Sequence, residues 1–144
     1  MRSTLQSAAC DVAYDSKYPE IIGAKVIQFL IFDEDNPSSI RASIKTARNN
    51  GRAVRTALTR DVWESINTTW NELAQVKPAS LTADRLPEFL QWIKQRVMSF
   101  RGALLGTMLR NDTYCFSQIG NFIERADNTA RILDVKYFIL LPKP

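Results

Sequence analysis

Five cationic side chains recur at Arg41, Lys45, Arg48, Arg52 and Arg55, with Arg60 just beyond, and no acidic residue lies between Pro37 and Arg60. On a helix turning about 100° per residue, the first five fall within a band about 80° wide. Like charges four apart repel, so solvent, an acidic helix or an anionic ligand must offset them. Four of the five are arginine, whose planar fork suits bidentate pairing with carboxylate or phosphate. Pairing inside the fold, an anionic ligand or partner, and a plain solvated face are all open readings. The complementary charges sit in Glu124-Arg125-Ala126-Asp127-Asn128-Thr129-Ala130-Arg131 and Asp134. There Glu124, Asp127, Asn128 and Arg131 share a helix face beside an apolar stripe, and Asp127 and Arg131 form an i, i+4 pair worth about 0.3–0.5 kcal/mol if exposed.

The chemistry these groups could perform is narrow. Two carboxylates at i, i+3 can share a proton or touch a hard cation, but two ligands are too few for a metal cage. Neither a metal nor a cofactor is therefore expected. Acid–base catalysis by Glu124 and Asp127 would need a nucleophile or cofactor loop, and the sequence places none beside them. The chain has no histidine, which removes the serine–histidine pair and imidazole metal ligands. An enzyme is the least favoured reading.

Positioning these groups requires helices. The 144 residues are 45% hydrophobic and 24% charged, with 5 glycines and 6 prolines, a globular composition at single-domain length. Apolar spacing reads as helix nearly throughout, while the opening to about residue 17 is weakly patterned and expected to be weakly ordered. Pro19 suits the first turn of a helix over 20–32 with Ile22, Val26 and Phe29 inward. Asn36 is placed to cap a helix entering at Pro37 and running about 22 residues to Leu58, with Ile40, Ile44, Ala47, Gly51, Val54 and Leu58 as its stripe. Thr59 caps a continuation through Trp63, Ile66, Trp70 and Leu73, and Lys77-Pro78-Ala79-Ser80 reads as a loop. Thr82 or Asp84 caps a helix entering at Pro87, in which Gly102 and Gly106 suit close helix packing. Asp112 is placed to cap the last helix, where Phe116, Ile119, Ile123, Ala126, Ala130, Leu133, Tyr137 and Leu140 alternate spacings of 3 and 4 until Pro142 and Pro144 stop it. The expected fold is an all-α bundle of about five helices with a long C-terminal helix.

Two cysteines, Cys10 and Cys115, form neither a disulfide framework nor a CxxC pair, which suits a reducing compartment. Cys115, beside Phe116, reads as buried filler. The first ten residues lack a signal-peptide apolar core, and no apolar run reaches about 18 residues. Cytoplasmic location with no membrane partner is expected. Net charge is +4. Outside 37–60 there are 13 basic and 15 acidic residues, so the excess positive charge belongs to one helix-sized block.

Four stretches, in order, resemble the bacterial alpha-E domain family. They are Phe29–Asp33 with Asn36–Ile40; Ala47-Arg48-Asn49-Asn50-Gly51-Arg52-Ala53-Val54-Arg55; Trp63-Glu64-Ser65-Ile66-Asn67; and Ile123 through Val135. The resemblance implies an all-helical protein of unsettled biochemistry, encoded beside ATP-grasp-type amide or peptide ligases and transglutaminase-like peptidases and assisting peptide synthesis or modification. It carries over Arg48, Arg52, Arg55, Trp63, Asn67, Glu124, Arg125, Asp127, Arg131 and Asp134 as the family's polar set. Alanine is the usual residue where Gly51 stands. Family members are about twice as long, so the chain resembles their middle: a single helical domain over 1–144, an excerpt of a longer protein or a short form.

The resulting expectation is a non-catalytic accessory protein working with an ATP-grasp-type ligase and a transglutaminase-like protein. The arginine ridge would face the acidic helix across a polar groove built from Arg48, Arg52, Arg55, Asn67, Glu124, Arg125, Asp127, Arg131 and Asp134. A lone last helix would leave its apolar face uncovered, so self-association is expected. The alternative is nucleic-acid binding through the same ridge, weakened by the modest net charge and by the lack of a docking module or an interleaved aromatic platform.

Overall fold

Backbone donors at helix starts need partners, and the chain supplies them locally. Ser39 Oγ accepts from the Ala42 amide at 3.1 Å, and Thr59 Oγ1 accepts from Val62 at 3.4 Å. The computed structural model describes the backbone of residues 1–140 and the side chains of residues 1–137. Its helices are α1 (Arg2–Ser7), α2 (Asp11–Lys17), α3 (Gly23–Ile31), α4 (Ile40–Ala53), α5 (Arg60–Gln75), α6 (Leu86–Thr107) and α7 (Asp112–Leu140), with 3-10 turns at Arg55–Ala57 and Pro78–Ser80. No strand occurs among the described residues. The fold is all-α with a long last helix, as its spacing predicts. The stop at Pro142 and Pro144 lies outside the described residues.

Local chemistry explains where the boundaries differ from expectation. Asn36 does not cap α4. Its buried amide instead donates to the Phe29 carbonyl at 3.1 Å and accepts from the Ser38 amide at 3.0 Å, closing the end of α3 and leaving the cap to Ser39. The α4 helix also ends early, at Ala53, where Val54 leaves helical backbone (φ −112°, ψ 31°) for a 3-10 turn in which Arg55 Nη1 donates to the Leu58 carbonyl at 3.2 Å. Leu58 folds back so that its Cδ1 lies 3.4 Å from where a β-carbon on Gly51 would sit. At the last helix, Asn111 rather than Asp112 caps, its Oδ1 accepting from the Tyr114 amide.

Three apolar clusters hold the elements. Residues 1–17 form α1 and α2, and bury Leu5, Cys10 and Tyr14 against Val26 and Phe29 of α3. The Tyr14 and Phe29 rings meet edge to face at 5.3 Å, a geometry that adds to area burial. Ala9 adopts the left-handed conformation (φ 50°), and Cys10 donates to the Leu5 carbonyl at 3.0 Å, so the turn ends α1 as a Schellman motif. Ile31, Phe32, Leu73 and Phe89 join α3, α5 and α6, while Val62, Leu104 and Met108 join α5 to the end of α6. Successive helices α4, α5 and α6 pack as neighbours, and α1 packs against α7.

The α7 helix departs most from expectation. Its half-buried residues beside α6 are largely polar, including Ser117, Gln118 and Asn121. The apolar stripe points away instead, leaving Phe116 73% and Leu133 62% exposed. Cys115 is exposed, not core filler. Gly102 and Gly106 are not packing notches either, since a β-carbon at either would meet nothing within 4 Å.

Candidate functional site

Three of the ridge arginines, Arg41, Arg48 and Arg55, are held by neutral groups. Arg48 Nε donates to Asn67 Oδ1 of α5 at 2.8 Å, a half-buried bond between two expected site residues. The Arg55 guanidinium lies 5.5 Å over the Trp63 ring, favourable for a cation on an aromatic face. Arg41 sits 5.0 Å over Phe32 and donates to the Val76 carbonyl at 3.1 Å. Between Arg48 and Arg55, Arg52 is exposed and has no partner among the described residues. Of the five ridge cations only Lys45 forms an ion pair among the described residues, with Glu34. Its hydrogen bond and charge hold the Glu34 carboxyl below the usual carboxylate range.

The second set lies along α7. Asp127 accepts from Arg131 Nε at 2.8 Å one turn later and raises the Arg131 pKa through that bond. Both are substantially exposed, so the pair contributes little. Glu124 is exposed and has no partner among the described residues, and Arg125 lies 6.0 Å over Phe122. Arg131 and Asp134 line an open cleft of about 710 Å³ with Arg2 of α1 and Asp11.

The expected polar groove is thus not formed. Among the described residues, no ion pair joins Arg48, Arg52 or Arg55 to Glu124, Asp127 or Asp134. Arg48 meets Asn67, Arg55 meets Trp63, and Arg131 and Asp134 face α1. The physical reason is the orientation of α7, whose carboxylates are satisfied by solvent or by Arg131 while the arginines find carbonyl, amide and ring partners nearer in sequence. Sequence reasoning also missed a polar link between α5 and α6. Glu72 accepts from Trp92 Nε1 at 3.2 Å and from Arg96, whose guanidinium lies 5.7 Å from the Trp92 ring. The i, i+4 spacing of Trp92 and Arg96 was the available signal. No group of three or more potential metal ligands occurs among the described residues, and no described helix is long and apolar enough to cross a membrane.

Against known proteins, no curated sequence and no solved structure matches. One family model does, over residues 1–143, described as a predicted alpha-helical domain with a conserved ER motif. The chain's one Glu-Arg dipeptide is Glu124-Arg125, exposed midway along α7. With the match covering nearly all of its length and the all-helical fold in agreement, the chain belongs to the Alpha-E family.

Proposed function

We propose that this protein is a non-catalytic helical accessory factor, acting as a self-associated assembly, that assists an ATP-grasp-type amide or peptide ligase by binding an anionic segment of the ligase or its peptide. One observation carries this reading: Arg48, Arg52 and Arg55 have no carboxylate partner in the described chain, yet Arg48 and Arg55 are oriented by Asn67 and Trp63. Guanidiniums fixed by neutral neighbours keep their charge available, and side chains already oriented lose less freedom on binding. Glu124 and Arg125, exposed and outside any ion pair among the described residues, offer a second polar contact on α7. A transglutaminase-like protein is a further partner in this scheme, and the cytoplasm is its setting.

Arg52→Glu is the decisive variant, because Arg52 supports nothing in the fold. With a purified ATP-grasp-type ligase encoded beside a family member, its affinity should fall tenfold or more, about 1.4 kcal/mol, while the melting temperature stays unchanged. Unaltered affinity would remove the ridge from the interface. Binding to mixed-sequence DNA or RNA that weakens steeply with salt would instead favour the nucleic-acid reading.

A further inference from the structure

We infer that the outward face of α7 is the surface on which a second copy of this chain docks, antiparallel, about a two-fold axis level with Asn128. This rests on the self-association proposed above and assigns it a surface and a register. A two-fold interface must be complementary to itself, so residue i meets j while j meets i. From Ile119 the exposed stripe runs Ile123, Ala126, Ala130, Leu133 and Tyr137, with spacings of 4, 3, 4, 3 and 4. That series reads identically from either end, and its midpoint is residue 128. Superposing it on its own reverse sets Ile123 against Leu133 and Ala126 against Ala130, apolar on apolar at each level.

The shape agrees with the register. An open groove of about 530 Å³ runs between Phe122 and Leu133, lined by Ala126, Thr129 and Ala130 and, on its open side, by Arg125. Small side chains at that midpoint let a second helix approach closely, and the larger residues close over it above and below. Ile119, Ile123, Leu133 and Tyr137 are each half or more exposed, a row of large apolar side chains of the kind that fills the core of a stable interface. The stripe residues themselves are uncharged, and Arg125 stands at the open margin over the Phe122 ring.

Direction follows from the flanks. The margin at Arg131, Asp134 and Val135 faces α1, whereas the opposite margin at Phe122, Thr129 and Lys136 is open. In a parallel pair the open margin of one helix must meet the α1-side margin of the other. An antiparallel pair brings open margin to open margin and places Lys136 beside Phe122 of the second copy, a cation near an aromatic ring.

Cross-linking reads the register. In a Cys115→Ser background, with Cys10 buried, Thr129→Cys sits beside the axis and should be joined between copies by a short bismaleimide. Ile119→Cys, displaced by about 27 Å along an antiparallel pair, should not be. Efficient joining of Ile119→Cys with none at Thr129→Cys would show a parallel pair and overturn this inference while leaving self-association standing. Ile123→Glu, on an exposed side chain, should weaken dimerisation at least ~100-fold with helix content unchanged. A dimer that persists in that variant uses another surface, whereas a wild-type chain that light scattering finds monomeric throughout contradicts both readings.

Discussion

The bundle of α3 to α6 and the long helix α7 both carry apolar stripes, yet they use them in opposite ways. In the bundle, Phe32, Leu73 and Phe89 turn toward one another and are buried. On α7 the stripe from Ile119 to Tyr137 turns toward solvent while a polar strip lies beside α6. Periodicity states that a helix has a face to cover. It does not state which neighbour covers it, because the turn at residues 108–111 sets the rotation of α7 about its own axis.

The sharpest way to break this contrast is a pair of matched truncations. Leu73→Ala, at a position with no exposure, should lose about 2–5 kcal/mol of unfolding free energy through lost burial and a residual cavity. Leu133→Ala should change it by no more than about 0.5 kcal/mol when the chain is dilute enough to separate the copies. Chemical denaturation measures both, and equal losses would mean that α7 is packed within the monomer. Next in size is Asn36→Ala, which leaves the Phe29 carbonyl and Ser38 amide short of a partner and should cost about 1–3 kcal/mol. The smallest effect has the opposite sign. Gly51→Ala in α4 should raise stability by about 0.5–1 kcal/mol, since an added methyl would meet Leu58, Ile66 and Trp63 at 3.4–3.7 Å, ordinary contact distances. A destabilised Gly51→Ala would show that the α4–α5 contact has no slack.

These same residues mark what the sequence made legible. The all-helical class and the Thr59 cap of α5 follow from spacing and caps, which act over a few residues, whereas α7 is capped one residue earlier than expected, by Asn111. The cap of α4 was misassigned because the Asn36 side chain answers to a carbonyl seven residues earlier, a demand visible only once α3 and the following loop have folded. Residues 1–17 lack a long stripe, yet they bury Tyr14 by packing on α3, which local patterning does not encode. Arg48, Asn67, Arg131 and Asp134 were all marked as polar site residues, and the Asp127–Arg131 pair forms as its i, i+4 spacing predicts; what the spacing did not show is that Arg48 pairs with Asn67 and that Arg131 and Asp134 face α1. Charge segregation suggested that the ridge and α7 would meet. Neutral carbonyl, amide and aromatic partners on closer elements satisfy an arginine as readily, at lower desolvation cost than a buried ion pair.

Native-state hydrogen exchange over a range of protein concentrations tests most directly whether α7 needs a second copy to cover it. Amides of α5 should be strongly protected at every concentration, whereas those of α7 between Ile119 and Leu133 should gain protection as concentration rises. Protection of α7 that is as high as that of α5 in dilute solution, and flat with concentration, would contradict the account.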